Sequence, residues 1–362
     1  MYIEQLYTGC LSEAAYYIES NGKAAIIDPL RETEPYLQKA KERGAEIKYI
    51  LETHFHADFV SGHLDLAAKT GAPIVFGPTA QTDFDIIQAT DGQVFELGEL
   101  KIKLLHTPGH TPESSCYLLF DENGKEHSIY TGDTLFIGDV GRPDLAQKGG
   151  EMTAEDMAAT LYDSLRTKIM TLPDDIIVYP AHGAGSACGK NMSSETSALL
   201  GGQKQTNYAL GDLTKEEFVK ELTKGILPAP QYFAKAASQN KKGYKSIDQV
   251  FESSLNAMSV DEVLEAQKSG VMVLDTRREG EFSEGHIPNA WYIGLHGQFA
   301  PWAGALIEDM HQPIAIVADS GKEQEAIMRL ARVGYDNVIG YLDGGFEAYR
   351  ASGKEVRVIP SI

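Results

Sequence analysis

At 362 residues the chain is long enough for two ordinary domains, each with its own core. Its 43% hydrophobic and 23% charged residues are the proportions of a globular protein, and a net charge of −20 argues against nucleic acid and anionic membrane surfaces as partners. The start Met1-Tyr2-Ile3-Glu4-Gln5 has neither the basic nor the apolar region of a signal peptide. No run of about 18 apolar residues marks a transmembrane helix. Three cysteines, Cys10, Cys116 and Cys188, are odd in number and widely spaced, which suits free thiols in a reducing cytoplasm. A cytoplasmic location is therefore expected.

In chain order, Ala14 to Ile18 and Ala24 to Ile27 are β-prone runs joined at Ser20-Asn21-Gly22-Lys23, where Asn-Gly marks a hairpin. Thr33 to Arg43 has helical spacing and stops at Gly44. Ile47 to Leu51 reads as a buried strand, followed by a helix near His63 to Lys69 and a strand at Ile74 to Phe76. Val94 to Leu97 with Ile102 to Leu105, and Tyr117 to Phe120 with Ser128 to Thr131, predict two antiparallel pairs. Glu151 to Met170 reads as one long helix opened by Thr153, with Glu155 and Asp156 in its first turn. Ile176 to Tyr179 is a further strand, and helices fill residues 190 to 245, one capped by Thr214 and Glu217. Polar Gln239-Asn240-Lys241-Lys242-Gly243 reads as a flexible linker. The expected domains are residues 1–245 and 246–362, both α/β; in the first, strand pairs mixed with helices imply two sheets with helices outside.

The chemistry gathers in loops behind apolar strands. Thr53-His54-Phe55-His56-Ala57-Asp58-Phe59 puts two imidazoles and a carboxylate within five residues. His106-Thr107-Pro108-Gly109-His110-Thr111-Pro112 offers a histidine on a backbone stiffened by proline. Thr131-Gly132-Asp133 adds a carboxylate and Pro180-Ala181-His182-Gly183 another imidazole. One such histidine is more often structural than not. Four loops of this kind, each after a strand, point to a metal site.

These motifs, in this order, resemble the metallo-β-lactamase fold over about residues 1–245, an αββα sandwich. Gly141-Arg142-Pro143-Asp144 resembles its glyoxalase II and persulfide dioxygenase branches. Dinuclear zinc hydrolases of the fold usually read His-x-His-x-Asp-His, whereas this chain has Phe59, which cannot ligate. The resemblance to persulfide dioxygenases then implies one Fe(II) per chain on His54, His110 and Asp133, two imidazoles and a carboxylate with open positions. It makes His56, Asp58 and His182 the groups around that centre. The implied activity is oxidation of a low-molecular-weight persulfide by O2 to sulfite and thiol, the carrier being glutathione, coenzyme A, cysteine or a bacterial thiol. The alternative is a zinc-dependent thioester hydrolase like glyoxalase II. Arg142 is the candidate for gripping an anionic group of the carrier, its alternative being a surface or inter-subunit salt bridge, and Asp144 beside it is a further substrate-binding candidate. Cys188, in the glycine-rich stretch Gly183 to Lys190, is either a sulfur-handling thiol near the site or a small residue in a tight turn. Cys10 and Cys116 read as core. A homo-oligomer, dimer or tetramer, is expected.

Beyond residue 246 a Ser259-x-x-Glu262 capping box, the strands Val271 to Leu274 and Ile314 to Val317, and a helix to Arg332 imply a small, mostly parallel α/β domain. Asp275-Thr276-Arg277, Gly285-His286-Ile287-Pro288 and Gly344-Gly345-Phe346 resemble rhodanese. Ala318 stands where a rhodanese carries its catalytic cysteine and Glu323 where it carries an arginine. Sulfur transfer by this domain is therefore not expected.

Overall fold

The computed structural model describes residues 1–145 and 152–360. They form two compact units, Met1–Gly243 and the residues from Tyr244 onward.

The first unit opens with strands β1 (Tyr2–Thr8), β2 (Glu13–Ser20) and β3 (Lys23–Ile27), with Asn21 and Gly22 in the left-handed region at the hairpin. Helix α1 (Glu34–Arg43) ends at left-handed Gly44, and β4 (Glu46–Leu51), α2 (His63–Thr70), β5 (Ile74–Phe76) and β6 (Ile87–Gln88) follow. These strands make one six-stranded sheet in the order β1-β2-β3-β4-β5-β6. The second sheet takes β7 (Val94–Leu97), β8 (Leu100–His106), β9 (Ser115–Phe120), β10 (Glu126–Gly132), β11 (Ile177–Pro180) and β12 (Ala198–Leu199), ordered β12-β11-β10-β9-β8-β7.

Strand side chains alternate between faces, so each sheet serves two cores. On β2, Ala14, Tyr16 and Ile18 meet Leu104, Tyr117 and Leu119 between the sheets. Ala15 and Tyr17 face the other way, toward Tyr36 and Ala40 of α1 and Leu66 of α2. Behind the second sheet, Leu161 of α3 (Ala154–Ser164) packs with Ile129, Val178 and Phe218. The result is the expected αββα sandwich. Burying each of these large apolar side chains stabilises the fold by roughly 1.5–3 kcal/mol.

The long helix predicted from Glu151 is shorter than expected. Glu151 lies outside the described residues, Thr153 caps α3 in a box with Asp156, and Leu165–Ile169 widens into a π-helical turn. The unit closes with α4 (Leu200–Thr206), α5 (Lys215–Thr223) under its Thr214–Glu217 box, and α6 (Phe233–Lys242). Residues 239–242, expected to be linker, are the last turn of α6, and Asn240 is buried there. The polar run misled because a helix can turn one polar side chain inward to a specific partner.

In the second unit α7 (Ile247–Ser254), β13 (Ala257–Met258), α8 (Val260–Lys268), β14 (Met272–Asp275), α9 (Glu279–Glu284) and β15 (Trp291–Tyr292) come first. Then come α10 (Phe299–Leu306), β16 (Ile314–Val317), α11 (Glu323–Arg332), β17 (Val338–Leu342) and α12 (Gly345–Ala351). Every strand pairing is parallel, in the order β13-β17-β16-β14-β15. Asp275 and Arg277 form a buried ion pair of 2.6 Å, and the guanidinium also donates to Gly285 O and lies over the Phe346 ring. Three motifs read from sequence are thus one internal staple. Among the described residues no helix is long and apolar enough to cross a membrane.

Candidate metal centre

The loops after β4, β8, β10 and β11 bring their side chains to one end of the sandwich. His54, His110 and Asp133 form one buried group whose ligating atoms all lie within 4.8 Å of one another, and His56, Asp58 and His182 form another. Asp133 joins the two. Its Oδ2 is 3.3 Å from His110 Nε2 and 3.8 Å from His54 Nε2, and its Oδ1 is 3.6 Å from His182 Nε2. Asp58 Oδ2 sits 3.4 Å from that same His182 nitrogen.

Each imidazole is oriented from outside. Thr53 Oγ1 donates to Asp28 Oδ2 and so accepts from His54 Nδ1 at 3.0 Å, leaving Nε2 bare toward Asp133. His110 Nδ1 donates to Arg142 O at 2.8 Å and His182 Nδ1 to Ser12 O at 3.2 Å, which bares both Nε2 lone pairs. His56 is turned the other way. Its Nε2 faces Asp28 Oδ1 at 3.1 Å and Glu52 Oε2 at 3.5 Å, so Nδ1 is the atom available to Asp58 and His182. Outer partners that fix a tautomer are the usual accompaniment of metal-ligating histidines.

Electrostatics agree with this division. Burial, reinforced by the neighbouring imidazoles of His56, His110 and His182, holds His54 well below its ordinary pKa, so it stays neutral and able to ligate. Burial works against charge on His56 too, yet Asp28 and Glu52 overturn it and raise that imidazole well above its usual value. Burial raises Asp58 as well, against the pull of His182.

Both Asp133 oxygens, Asp58 Oδ1 and His182 Nε2 are buried without a hydrogen-bond partner among the described residues. Orphaned acceptors converging from three loops carry a cost that a cation would remove. The donor set of imidazoles and carboxylates suits a first-row transition metal.

Two glycines explain why the motifs contain them. A Cβ on Gly132, which is at φ +51°, would stand 2.5 Å from Thr53 Oγ1, and one on Gly141 would stand 2.1 Å from Asp133 O and 2.9 Å from His110 Nδ1. Only glycine lets these loops close on each other.

Arg142 takes the salt bridge that the sequence left open beside substrate binding. Its Nε and Nη2 grip both Asp144 oxygens at 2.8 and 2.7 Å, Nη1 also donates to Ala187 O and Nη2 to Leu227 O. Four of its five N–H groups are thus engaged inside the protein, with Asp144 as counter-ion. Lys190, at the end of the glycine-rich stretch, donates through its ammonium to Leu222 O and Lys224 O at the end of α5. Cys188 is buried and close to the centre, its thiol grouped with Asp133 and His182. Burial, then the Asp58 and Asp133 carboxylates, raise that thiol well above its ordinary pKa. Cys116 is core as expected, but Cys10 is only half-buried.

Sequence reading missed Asp28, Glu52, His63 and Asn240. Glu52 accepts from the Ser61 hydroxyl and from His63 Nδ1. The available signals were Asp28 directly behind the strand Ala24 to Ile27, and a carboxylate directly before Thr53-His54.

Residues 8–182 match the family model for the metallo-β-lactamase superfamily, and residues 259–352 match that for the rhodanese-like domain. The chain is 33% identical to the human mitochondrial persulfide dioxygenase ETHE1, over 61% of this chain and 79% of that protein. It is 31% identical to a probable hydroxyacylglutathione hydrolase of Schizosaccharomyces pombe, over 49% of this chain and 66% of that protein. Among solved structures, a metallo-β-lactamase from Staphylococcus aureus superposes with a TM-score of 0.82 at 31% identity, covering 94% of this chain and 98% of that one.

Proposed function

Because the chain belongs to the metallo-β-lactamase superfamily and carries a rhodanese-like domain behind its metal-binding one, we propose that it is a mononuclear iron(II) dioxygenase of low-molecular-weight persulfides. The observation that carries this is the pairing of a His54–His110–Asp133 face with Phe59. Phe59 is fully buried and stacked on His56 at 4.3 Å, where a dinuclear hydrolase of this fold has a ligating histidine. Relatives named for persulfide dioxygenation and for hydroxyacylglutathione hydrolysis are similar at nearly equal identity, so the residues must decide.

His54 Nε2, His110 Nε2 and Asp133 would hold the metal. Iron(II) there supplies redox chemistry and open positions for O2 and a persulfide. The net reaction is RSSH + O2 + H2O → RSH + SO3²⁻ + 2H⁺, in which the terminal sulfur is oxidised and water supplies the third oxygen. His182 Nε2 and Asp58 Oδ2, 3.4 Å apart, are placed to take the proton shed when the persulfide binds as its anion. Asp28 and Glu52 hold His56 charged, which favours an anion in the pocket. Burial excludes bulk water from all six side chains. With Arg142 occupied by Asp144, recognition of the carrier falls to other groups, and the carrier thiol stays open among glutathione, coenzyme A, cysteine and a bacterial thiol. Cys188 is close enough to meet a bound persulfide, although its thiol is held protonated.

In this proposal the rhodanese-like unit transfers no sulfur. Ala318 closes β16 with no nucleophile, and Glu323 opens α11 with the wrong charge for an anionic donor.

The test is oxygen uptake and sulfite release by the full-length protein loaded with iron(II) and given glutathione persulfide or coenzyme A persulfide, set against thioester hydrolysis by the zinc-loaded protein. Hydrolysis that requires two zinc ions, with no oxygen uptake, would favour the glyoxalase II reading.

A further inference from the structure

The loop that carries His54, His56 and Asp58 has no strand or helix of its own, yet it is buried throughout. Its peptide groups therefore need partners from elsewhere. One side chain supplies three of them. Asn240, 1% exposed on α6, accepts from Ser61 N–H at 2.8 Å through Oδ1. Its Nδ2 donates to His56 O and Phe59 O, each at 2.8 Å. The orientation of the amide is unambiguous, because an N–H can only donate and two carbonyls can only accept. The neighbouring residue also reaches this loop: the Lys241 ammonium lies 4.8 Å over the Phe55 ring, while Lys241 O accepts from Asp83 N between β5 and β6.

We infer that Asn240 is a positioning residue of the metal centre: its amide clamps the backbone on both sides of Asp58 and so sets where His56 and Asp58 stand against His182. It touches none of the reacting atoms. It acts through the loop, from about 180 residues away in sequence. The geometry is demanding, since a shorter side chain would leave the two carbonyls and the amide unpaired in a dry place. A longer one would push the loop toward the ligands. The inference rests on reading this site as a metal centre and on no choice between iron and zinc.

The test uses the full-length chain, metal-free and cobalt(II)-loaded. Asn240→Ala should speed amide hydrogen exchange across residues 53–62 by about tenfold or more, with β9 and β10 at parental rates. It should also alter the cobalt(II) absorption bands. Ala236→Gly is the control, because Ala236 is buried on α6 one turn earlier and carries only a methyl. That variant should lower the melting temperature and leave both loop exchange and cobalt bands unchanged. Equal acceleration in the two variants would make Asn240 a mere support of its helix and overturn the proposal. Parental loop exchange in Asn240→Ala, or a loosened loop with unaltered cobalt bands, would overturn it too. If Asn240→Ala does not fold, Asn240→Ser, whose hydroxyl can serve only some of the three partners, is held to the same readouts. A parent chain that takes up no cobalt would sink the metal reading, while the exchange measurement would still judge the clamp.

Discussion

Replacing Phe59 by histidine asks the protein directly whether it lost a second metal ligand. The Phe59 ring is fully buried and stacks on His56 with centroids 4.3 Å apart and planes 30° from parallel. Phe59→His removes apolar contacts and buries a polar ring beside His56, Asp58 and His182. Without metal, the combined packing and desolvation cost is about 2–4 kcal/mol. For a unit of this length each kcal/mol is worth about 2–4 °C, so the metal-free variant should melt roughly 5–15 °C below the parent. A metal that binds only the folded state, at a hundred times its dissociation constant, returns about 2.7 kcal/mol. Added zinc should therefore restore most of the loss in Phe59→His, and elemental analysis should rise from one equivalent to two. Scanning calorimetry with and without zinc, beside metal content, reads both numbers. The reasoning is refuted if the parent already needs two metals for turnover, or if the variant still binds one and zinc does not stabilise it.

Three further outcomes follow from the structure. Asp133→Ala should strip the protein of iron, because Asp133 faces His54, His110 and His182 together, whereas His182→Ala should keep iron and lose about 10–100-fold in turnover; equal metal loss in both would show the ligands to be misassigned. The parent should transfer no sulfur from thiosulfate to cyanide, Ala318→Cys alone should transfer little, and Ala318→Cys with Glu323→Arg more, since arginine favours the thiolate and attracts the donor; Cys188→Ser in each background isolates the second unit, and turnover by the parent would refute the reading. Glu262 is held below its ordinary value of 4.5 by the Ser259 N–H and hydroxyl. A depressed carboxyl stabilises above its unfolded pKa and stops doing so as pH falls through its folded one, so Glu262→Gln should lower the melting temperature near pH 7, and the difference from the parent should shrink as pH falls below 4.5.

Most of the metal centre was legible in the sequence for a local reason. Each candidate residue sits in the loop behind a short apolar strand, and such a strand announces itself by composition within a few residues. His54, His110, Asp133 and His182 could therefore be named and grouped without coordinates. The capping boxes at Thr214 and Ser259 were legible on the same ground, since their partners lie three residues away. What depended on distant partners was not. Arg142 read as either a substrate fork or a salt bridge, and only the tertiary structure set Asp144, Ala187 O and Leu227 O around it. Asn240 lay in a run whose polarity suggested a linker, yet one inward turn of α6 made it the anchor of a loop some 180 residues away. Composition reports whether a side chain can bury or donate. Only the tertiary structure decides to whom, because a hydrogen bond is satisfied by position and not by distance along the chain.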